Sequence, residues 1–354
     1  MHVCFSIFVA IMLTKPLISK EVTIRDVADA AGVSTSLVSF VLNAKRGPDG
    51  KYLCRASQAT AERIVETAKQ LGYHSNKAAA SLRSGFNRTI GVIVSDISNS
   101  CFGDICRKIE TLSSEAGYLS IFGSTDDKKE KFRQLVEKFL YFGVDGIIMA
   151  PCPGVEDSIR KVMECGIPVV LIDRDIKGLD GVGTVCLDNE LAGRLATRML
   201  LRQGYRRVAL LRYETLINTI PDRELGYTLE MKEHGLEQYV STLMVARESM
   251  ARDIVSVIIQ AKDRGVEAMI FPSNTITASG VSAINKLGYS VPEDIAVVGF
   301  DQGVYSGIFN PHIPFIDQPT NLIAEYSFNM LLGAITGTGT MSRTVVEPLV
   351  FVNK

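Results

Sequence analysis

The sequence predicts an α/β protein in two parts: a small all-helical head near the N-terminus and a core of two doubly wound parallel-sheet subdomains. Three observations predict it. Thr23–Asn43 reads as two short helices around a tight turn. From Thr89 onward, apolar runs of strand length alternate with helical segments in two successive series. The charge changes sign where that periodicity changes. A chain of 354 residues also exceeds one ordinary core and fits two or three domains.

In the head, Thr23 is an N-cap residue, able to accept an orphan amide proton with its hydroxyl. Ile24, Val27, Ala28 and Ala31 follow on one helical face. Gly32 stands where the chain needs positive φ. Ser34 caps a second helix whose Leu37, Val38, Val41 and Leu42 form the packed side, leaving Thr35, Ser36, Ser39 and Phe40 to the flanks and outer face. Two ordinary core helices would share this pattern, but the following sequence favours a helix-turn-helix, whose second helix enters the major groove at its N-terminal end. Ser57–Leu71 forms a third amphipathic helix, capped by Ser57, with Ile64, Val65, Ala68 and Leu71 on one side; Gly72-Tyr73 ends it, and the alanine-rich run Asn76–Leu82 comes next.

Net charge is −1, which by itself says nothing of nucleic acid. Between Lys20 and Arg88, however, eleven basic residues face six acidic ones, whereas residues 89–354 hold 26 basic and 33 acidic groups. A basic head on an acidic body is the footprint of phosphate contact confined to one end. The seven cysteines (Cys4, Cys54, Cys101, Cys106, Cys152, Cys165, Cys186) are scattered, with no ligand spacing, and read as reduced thiols. No metal site is expected. Val3–Leu13 is apolar but too short for a bilayer span, which needs about 20 residues. It lacks a preceding basic residue and a following cleavage site. Residues 1–19 are read as an apolar extension with a misassigned start, the true start lying at Met12 or near it, with a membrane anchor as the lesser alternative.

In the core, Ile90–Val94, Leu119–Phe122, Gly146–Met149 and Pro168–Ile172 form the first series of buried strands. Arg207–Leu211, Thr242–Val245, Ala268–Phe271 and Ile295–Phe300 form the second. Such alternation predicts parallel sheets covered on both faces, with ligand at the carboxyl ends of the strands. Polar residues stand at those ends: Asp96 and Asn99, with Phe102 behind them; Ser124 to Asp127; Asp173-Arg174; Asp222-Arg223; Asn274; Asp301. About half of such a group would only cap helices or pair internally, with Asp126 and Asp173 as examples. No GxSxG, HExxH or GxxxxGK[ST] occurs, and His2, His74, His234 and His312 have no nucleophile beside them, so catalysis is not expected.

The order of head, third helix and alanine-rich hinge closely resembles the lactose/galactose-repressor (LacI/GalR) family of bacterial transcription regulators, and the similarity runs from about Val22 to Val350. The resemblance implies a periplasmic-binding-protein-like core behind a DNA-binding head. Residues 20–75 would be the head, 76–88 hinge helix and linker, and 89–354 the effector-binding and dimerisation core. Its first subdomain would span about 89–187 and 318–341, its second about 188–317 and 342–354, with crossings near Leu187, Gln318 and Met341.

By the same resemblance, Thr35, Ser36 and Phe40 take base-reading positions, and Thr23, Ser34, Ser39, Asn43, Ser57, Tyr73, Asn76, Ala79 and Leu82 complete the DNA-binding set. Leu82, on a hinge helix that forms on DNA, would wedge into the operator's minor groove, and Ala79 would let the two hinge helices approach. Phe40 stands where arginine is common. A thymine-methyl contact and packing against the third helix both remain open for it. The run Arg223–Tyr227 (RELGY) is similar to the family's R-x-x-G-aromatic element, Val298–Asp301 to its V-G-[FY]-D, and Pro272–Asn274 to the segment bearing a pocket asparagine. With Asp96, Phe102 and Arg174, the expected effector residues are therefore Arg223, Asn274 and Asp301. Thr275 replaces the family's usual aspartate. A further departure is Ala44–Arg55, about eight residues longer than usual, basic and turn-rich; added phosphate contacts and a tolerated floppy insertion are both open.

The expected partners are a pseudo-palindromic double-stranded operator, a small effector of carbohydrate type and a second copy of the chain, without membrane or cofactor, in the cytoplasm. Two copies are needed to read a symmetric site. The sign of effector coupling, inducer or corepressor, is not written in the sequence. A transporter-linked solute-binding protein would share the core but give the head no role. A constitutive regulator that has lost ligand response has only Thr275 in its favour.

Overall fold

The computed structural model describes residues 22–44, 47, 51–73, 86–215, 217–301 and 313–351. It divides into two compact units, Met1–Gly85 and Phe86–Lys354.

In the first unit, Thr23 closes a capping box at α1 (Ile24–Ala31). Its hydroxyl oxygen accepts from the Asp26 amide at 3.3 Å, and Asp26 accepts from the Thr23 amide at 2.7 Å. Gly32 then takes φ 63°, which turns the chain into α2 (Thr35–Leu42), capped by Ser34. The third helix, α3 (Gln58–Gln70), is capped by Ser57. Val27, Ala28, Ala31, Val38, Val41, Ala61, Ile64 and Ala68 form the core between them. Tyr52 belongs to the same core, its backbone held on both sides by the Gln58 side chain at 2.8 Å. The long connection between α2 and α3 is thus anchored at Tyr52, against the reading of a wholly floppy insertion.

The second unit holds two six-stranded sheets. The first is built from β1 (Thr89–Val94), β2 (Leu119–Ser124), β3 (Gly146–Met149), β4 (Val169–Ile172), β5 (Gly183–Leu187) and β11 (Arg343–Val346), all parallel, in the order β2-β1-β3-β4-β5-β11. The second repeats the plan with β6 (Val208–Tyr213), β7 (Ser241–Val245), β8 (Ala268–Ile270), β9 (Ala296–Phe300), β10 (Phe315–Asp317) and β12 (Leu349–Phe351), in the order β7-β6-β8-β9-β10-β12. Here β12 runs antiparallel to β10, so the second sheet is parallel except at that edge.

The strand pleat explains why both faces are covered. Along β1, Ile90, Val92 and Val94 enter a core with α4 (Ser100–Glu115) and α11 (Thr320–Thr336), while Ile93 packs with α5 (Lys129–Phe142) and α6 (Glu156–Glu164) on the other face. In the second sheet, Val208 and Leu210 meet α7 (Asn189–Arg202) and α8 (Thr219–Glu233), while Ala209 and Leu211 meet α9 (Met250–Asp263) and α10 (Asn274–Lys286). All eight strands read from periodicity are present. β5, β10, β11 and β12 are additional.

The chain crosses between the subdomains after β5, between β10 and α11, and between β11 and β12. The third crossing corrects the expected boundary at Met341. Residues 343–346 complete the first sheet by pairing with β5, so the crossing lies at residues 347–348.

Tyr227 ties α8 to the second sheet. It is fully buried, donates to the Val208 carbonyl at 2.7 Å and accepts from the Ser241 amide at 2.8 Å. Tyr227→Phe would leave a carbonyl and an amide unsatisfied, at about 1–3 kcal/mol. Denaturant unfolding should show a lowered midpoint with an unchanged slope.

Candidate functional site

In both sheets the strand order reverses beside the first strand of the series, between β1 and β3 and between β6 and β8. Open α/β sheets place ligands outside the carboxyl ends of strands at such switch points. Residues after the carboxyl ends of strands from both sheets line one cavity of about 230 Å³. It lies below the roughly 300–1,000 Å³ usual for drug-sized ligands.

All six expected effector residues line this cavity: Asp96, Phe102, Arg174, Arg223, Asn274 and Asp301. Their settings differ. Arg223 is buried on α8, where its Nε donates to Asn189 Oδ1 at 2.8 Å and its Nη1 to the Pro272 carbonyl at 2.7 Å, over the Phe300 ring at 4.5 Å. Asp301 is also buried and accepts from Gln318 Nε2 at 2.9 Å. Burial pushes its carboxyl above the usual range, while Arg223 and the Gln318 side chain pull it back. Phe102 presents a buried apolar wall from α4. Asp96 sits exposed at the rim, with Oδ1 accepting from the Ser98 amide and hydroxyl at 2.8 and 2.7 Å.

Arg174 is more heavily committed than its position suggests. It donates to Asp127 at 2.5 Å, to Asp173 at 3.0 Å and to the Pro151 carbonyl at 3.1 Å. Asp173 is therefore an internal partner, as is Asp126, which pairs with Lys131 at 2.9 Å. Asp126, Asp127, Asp173 and Asp301 all take positive φ, between 53° and 66°. Aspartate tolerates this region better than most residues, and strained backbone of this kind gathers at binding sites.

Among the described residues, two side-chain pairs span the cleft. Asn274 Nδ2, at the start of α10, donates to Asn99 Oδ1, the N-cap of α4, at 3.0 Å, with the return bond at 3.4 Å. Arg247, after β7, lies 3.6 Å from Asp127, after β2. Thr275 hydrogen-bonds through its amide to the Asn274 side-chain carbonyl at 2.7 Å, so it buttresses Asn274 rather than supplying a carboxylate. Tyr213, Arg247 and Gln318 also line the cavity and were not singled out as effector residues from the sequence. They carry no motif; the pairing of β6 with β7 and of β9 with β10 brings them in.

Among the described residues, five aspartates and three arginines line the cavity. Asp126, Asp127 and Asp173 are held in ion pairs with Lys131 and Arg174, so Asp96 and Asp301 are the carboxylates placed to accept from the hydroxyls of a ligand. Cys101 also reaches the cavity, and burial pushes its thiol up, so it stays protonated. Among the described residues the cysteines are free thiols, no acidic, histidine or cysteine cluster fits a metal ion, and no helix is long and apolar enough to cross a membrane.

In the head, Thr35 and Ser36 are exposed at the first turn of α2. Phe40 is 48 % exposed and outside the head core, which disfavours packing against α3. Asn43 is exposed and its side chain donates to the Ser39 carbonyl at 2.7 Å. Thr23, Ser34 and Ser57 spend their hydroxyls on caps, and Tyr73 is half-buried against the core. Asn76, Ala79 and Leu82 lie outside the described residues.

Residues 23–76 match the model of the bacterial regulatory proteins of the lacI family, and residues 87–354 match that of periplasmic binding proteins and the sugar binding domain of the LacI family. The ribose operon repressor of Bacillus subtilis is 30 % identical over 94 % of this chain and 97 % of its own length. The HTH-type transcriptional repressor PurR of Erwinia tasmaniensis is 30 % identical over 91 % of this chain and 93 % of its own. In fold, the chain matches the Lac repressor dimer bound to operator with a TM-score of 0.78 at 22 % identity, covering 95 % of this chain and 99 % of that one. With a matching head, a matching core and relatives aligned almost end to end, the chain belongs to the LacI family of bacterial regulatory proteins.

Proposed function

We propose that this DNA-binding regulator is a repressor whose operator affinity is set by a single-ring sugar held in the cleft of the core. The observation that carries the reading is the convergence of Arg223, Asn274 and Asp301 with the Phe102 wall on one small cavity. A hydroxylated ring can donate to Asp301 and accept from Arg223 while its apolar face lies on Phe102. A purine is less well served. Phe102 gives a base one face, but the other tyrosine or phenylalanine ring in the described lining, Tyr213, is already covered by the Arg247 guanidinium at 5.3 Å.

On this reading the protein works as a homodimer in the cytoplasm, by binding and not by catalysis. Thr35, Ser36 and Phe40 read bases, with Thr23, Ser34, Ser39, Asn43, Ser57 and Tyr73 around them, while Asn76, Ala79 and Leu82 form the hinge contact. Selection of bound sequences from a random duplex pool tests it. Enrichment of a symmetric site is expected. Failure to enrich any sequence, with and without a mixed sugar pool, would sink the reading.

A further inference from the structure

We propose that Arg247 is a specificity gate that closes the cleft over one sugar ring and rejects ligands carrying a second; this rests on the sugar reading above. Arg247 belongs to the second subdomain and reaches the mouth of the cavity, where its side chain is 52 % exposed. One face of its guanidinium lies over Tyr213 at 5.3 Å. Its Nη2 lies 3.6 Å from Asp127 Oδ2 in the first subdomain. The side chain therefore bridges the entrance, resting on a ring on one side and facing a carboxylate on the other.

The partners explain both how the gate is aimed and why it opens. Asp127 is held at φ 55°, its amide bonded to Thr125 Oγ1 at 3.3 Å, so the carboxylate has a fixed place. Its Oδ1 is taken by the buried Arg174 at 2.5 Å, which leaves Oδ2 toward Arg247. The inner pair is short and buried, and the outer pair is beyond hydrogen-bond distance and partly in solvent. Exposed ion pairs are weak, so the outer one can break to admit a ligand while the inner one keeps Asp127 in place. The cation–π contact, worth more than the exposed pair when partly desolvated, returns Arg247 to the mouth. A second ring bonded to the bound one and projecting outward would need the volume that Arg247 fills.

The test is calorimetry on the full chain with D-xylose, D-glucose, D-galactose and D-fructose, and with xylobiose, cellobiose, lactose and sucrose. The unmodified protein should bind at least one monosaccharide and prefer it over a disaccharide containing it by about tenfold or more. Arg247→Ala should reduce that preference by about tenfold, and Tyr213→Leu should act in the same direction, while Tyr213→Phe keeps it. A change in folding alone would alter all affinities without altering their ratio. Monosaccharide binding with an unchanged ratio in Arg247→Ala would overturn the gate and leave the sugar reading standing. Failure of every sugar to bind either protein would overturn both.

Discussion

Gly226→Ala is expected to destabilise the core by about 2 kcal/mol or more and to abolish the response to effector. In the R-x-x-G element this glycine is a packing device. α7 and α8 cross with Gly193 against the Arg223 backbone and Gly226 against the Glu190 backbone. A methyl on Gly226 would fall on the Glu190 carbonyl oxygen and lie 2.9 Å from the Arg194 amide nitrogen. These are helix backbones, so the strain cannot be relieved by turning a side chain. Overpacking typically costs about 1–3 kcal/mol, and rigid obstacles sit at the top of that range. Alanine's better helix propensity returns only about 1 kcal/mol, so the clash wins. Arg223 rides one turn earlier on α8, and displacing the helix moves its guanidinium away from Asn189 and Pro272. Gly103→Ala is the control, because its methyl meets only the Ile97 carbonyl, at 3.4 Å. It should leave the melting temperature unchanged or slightly raised.

Arg223→Met should cost about 2–5 kcal/mol, because it takes the donor from the buried Asn189 Oδ1 and from the Pro272 carbonyl, at about 1–3 kcal/mol each, and removes the charge that offsets Asp301. It leaves Asp301 buried with only the Gln318 amide and neighbouring backbone to hold its charge. The variant should also depend on pH in a defined sense. The Asp301 carboxyl already lies above its ordinary value of 3.8, and loss of Arg223 raises it further. A carboxyl whose pKa is higher folded than unfolded binds more protons in the folded state, so stability falls as pH rises between the two values. The deficit of Arg223→Met should therefore be greatest at neutral pH and shrink as the solution is acidified toward the raised pKa. A deficit that stays unchanged as the solution is acidified through the carboxylate range would place the loss in packing instead, since the ionisation of Asp301 predicts a decrease.

The head and the strands of both sheets closest to the switch points were legible because their patterns are local. Ile90–Val94 is a run of β-branched residues around one glycine, and Thr23, Gly32 and Ser34 punctuate two short helices. β10 and β12 are three residues each, too short to show a period, and their pairing is decided by strands far away in sequence. β11 alternates the exposed Arg343 and Val345 with the half-buried Thr344 and the buried Val346 at a sheet edge, too short a pattern to separate the crossing after it from a loop. The site divides in the same way. Arg223, Asn274 and Asp301 stand in recognisable runs. Asp127 and Arg247 sit 120 positions apart and become partners only because β2 and β7 both bring their carboxyl ends to the cleft. The heavy commitment of Arg174 was hidden for the same reason, since Asp127 reaches it from another strand end.

If a ligand in the core cleft sets the affinity of the head for its operator, that affinity must change when the cleft fills. The measurement is the dissociation constant of the full protein for its selected operator, at fixed salt, with and without a saturating monosaccharide shown by calorimetry to bind. A change of about 5–150-fold, the usual span of such coupling, is expected in one direction or the other. Asp301→Asn, by weakening the sugar contact, should remove the change. A sugar that binds the cleft yet leaves operator affinity within about twofold, below the range of allosteric coupling, would contradict that control.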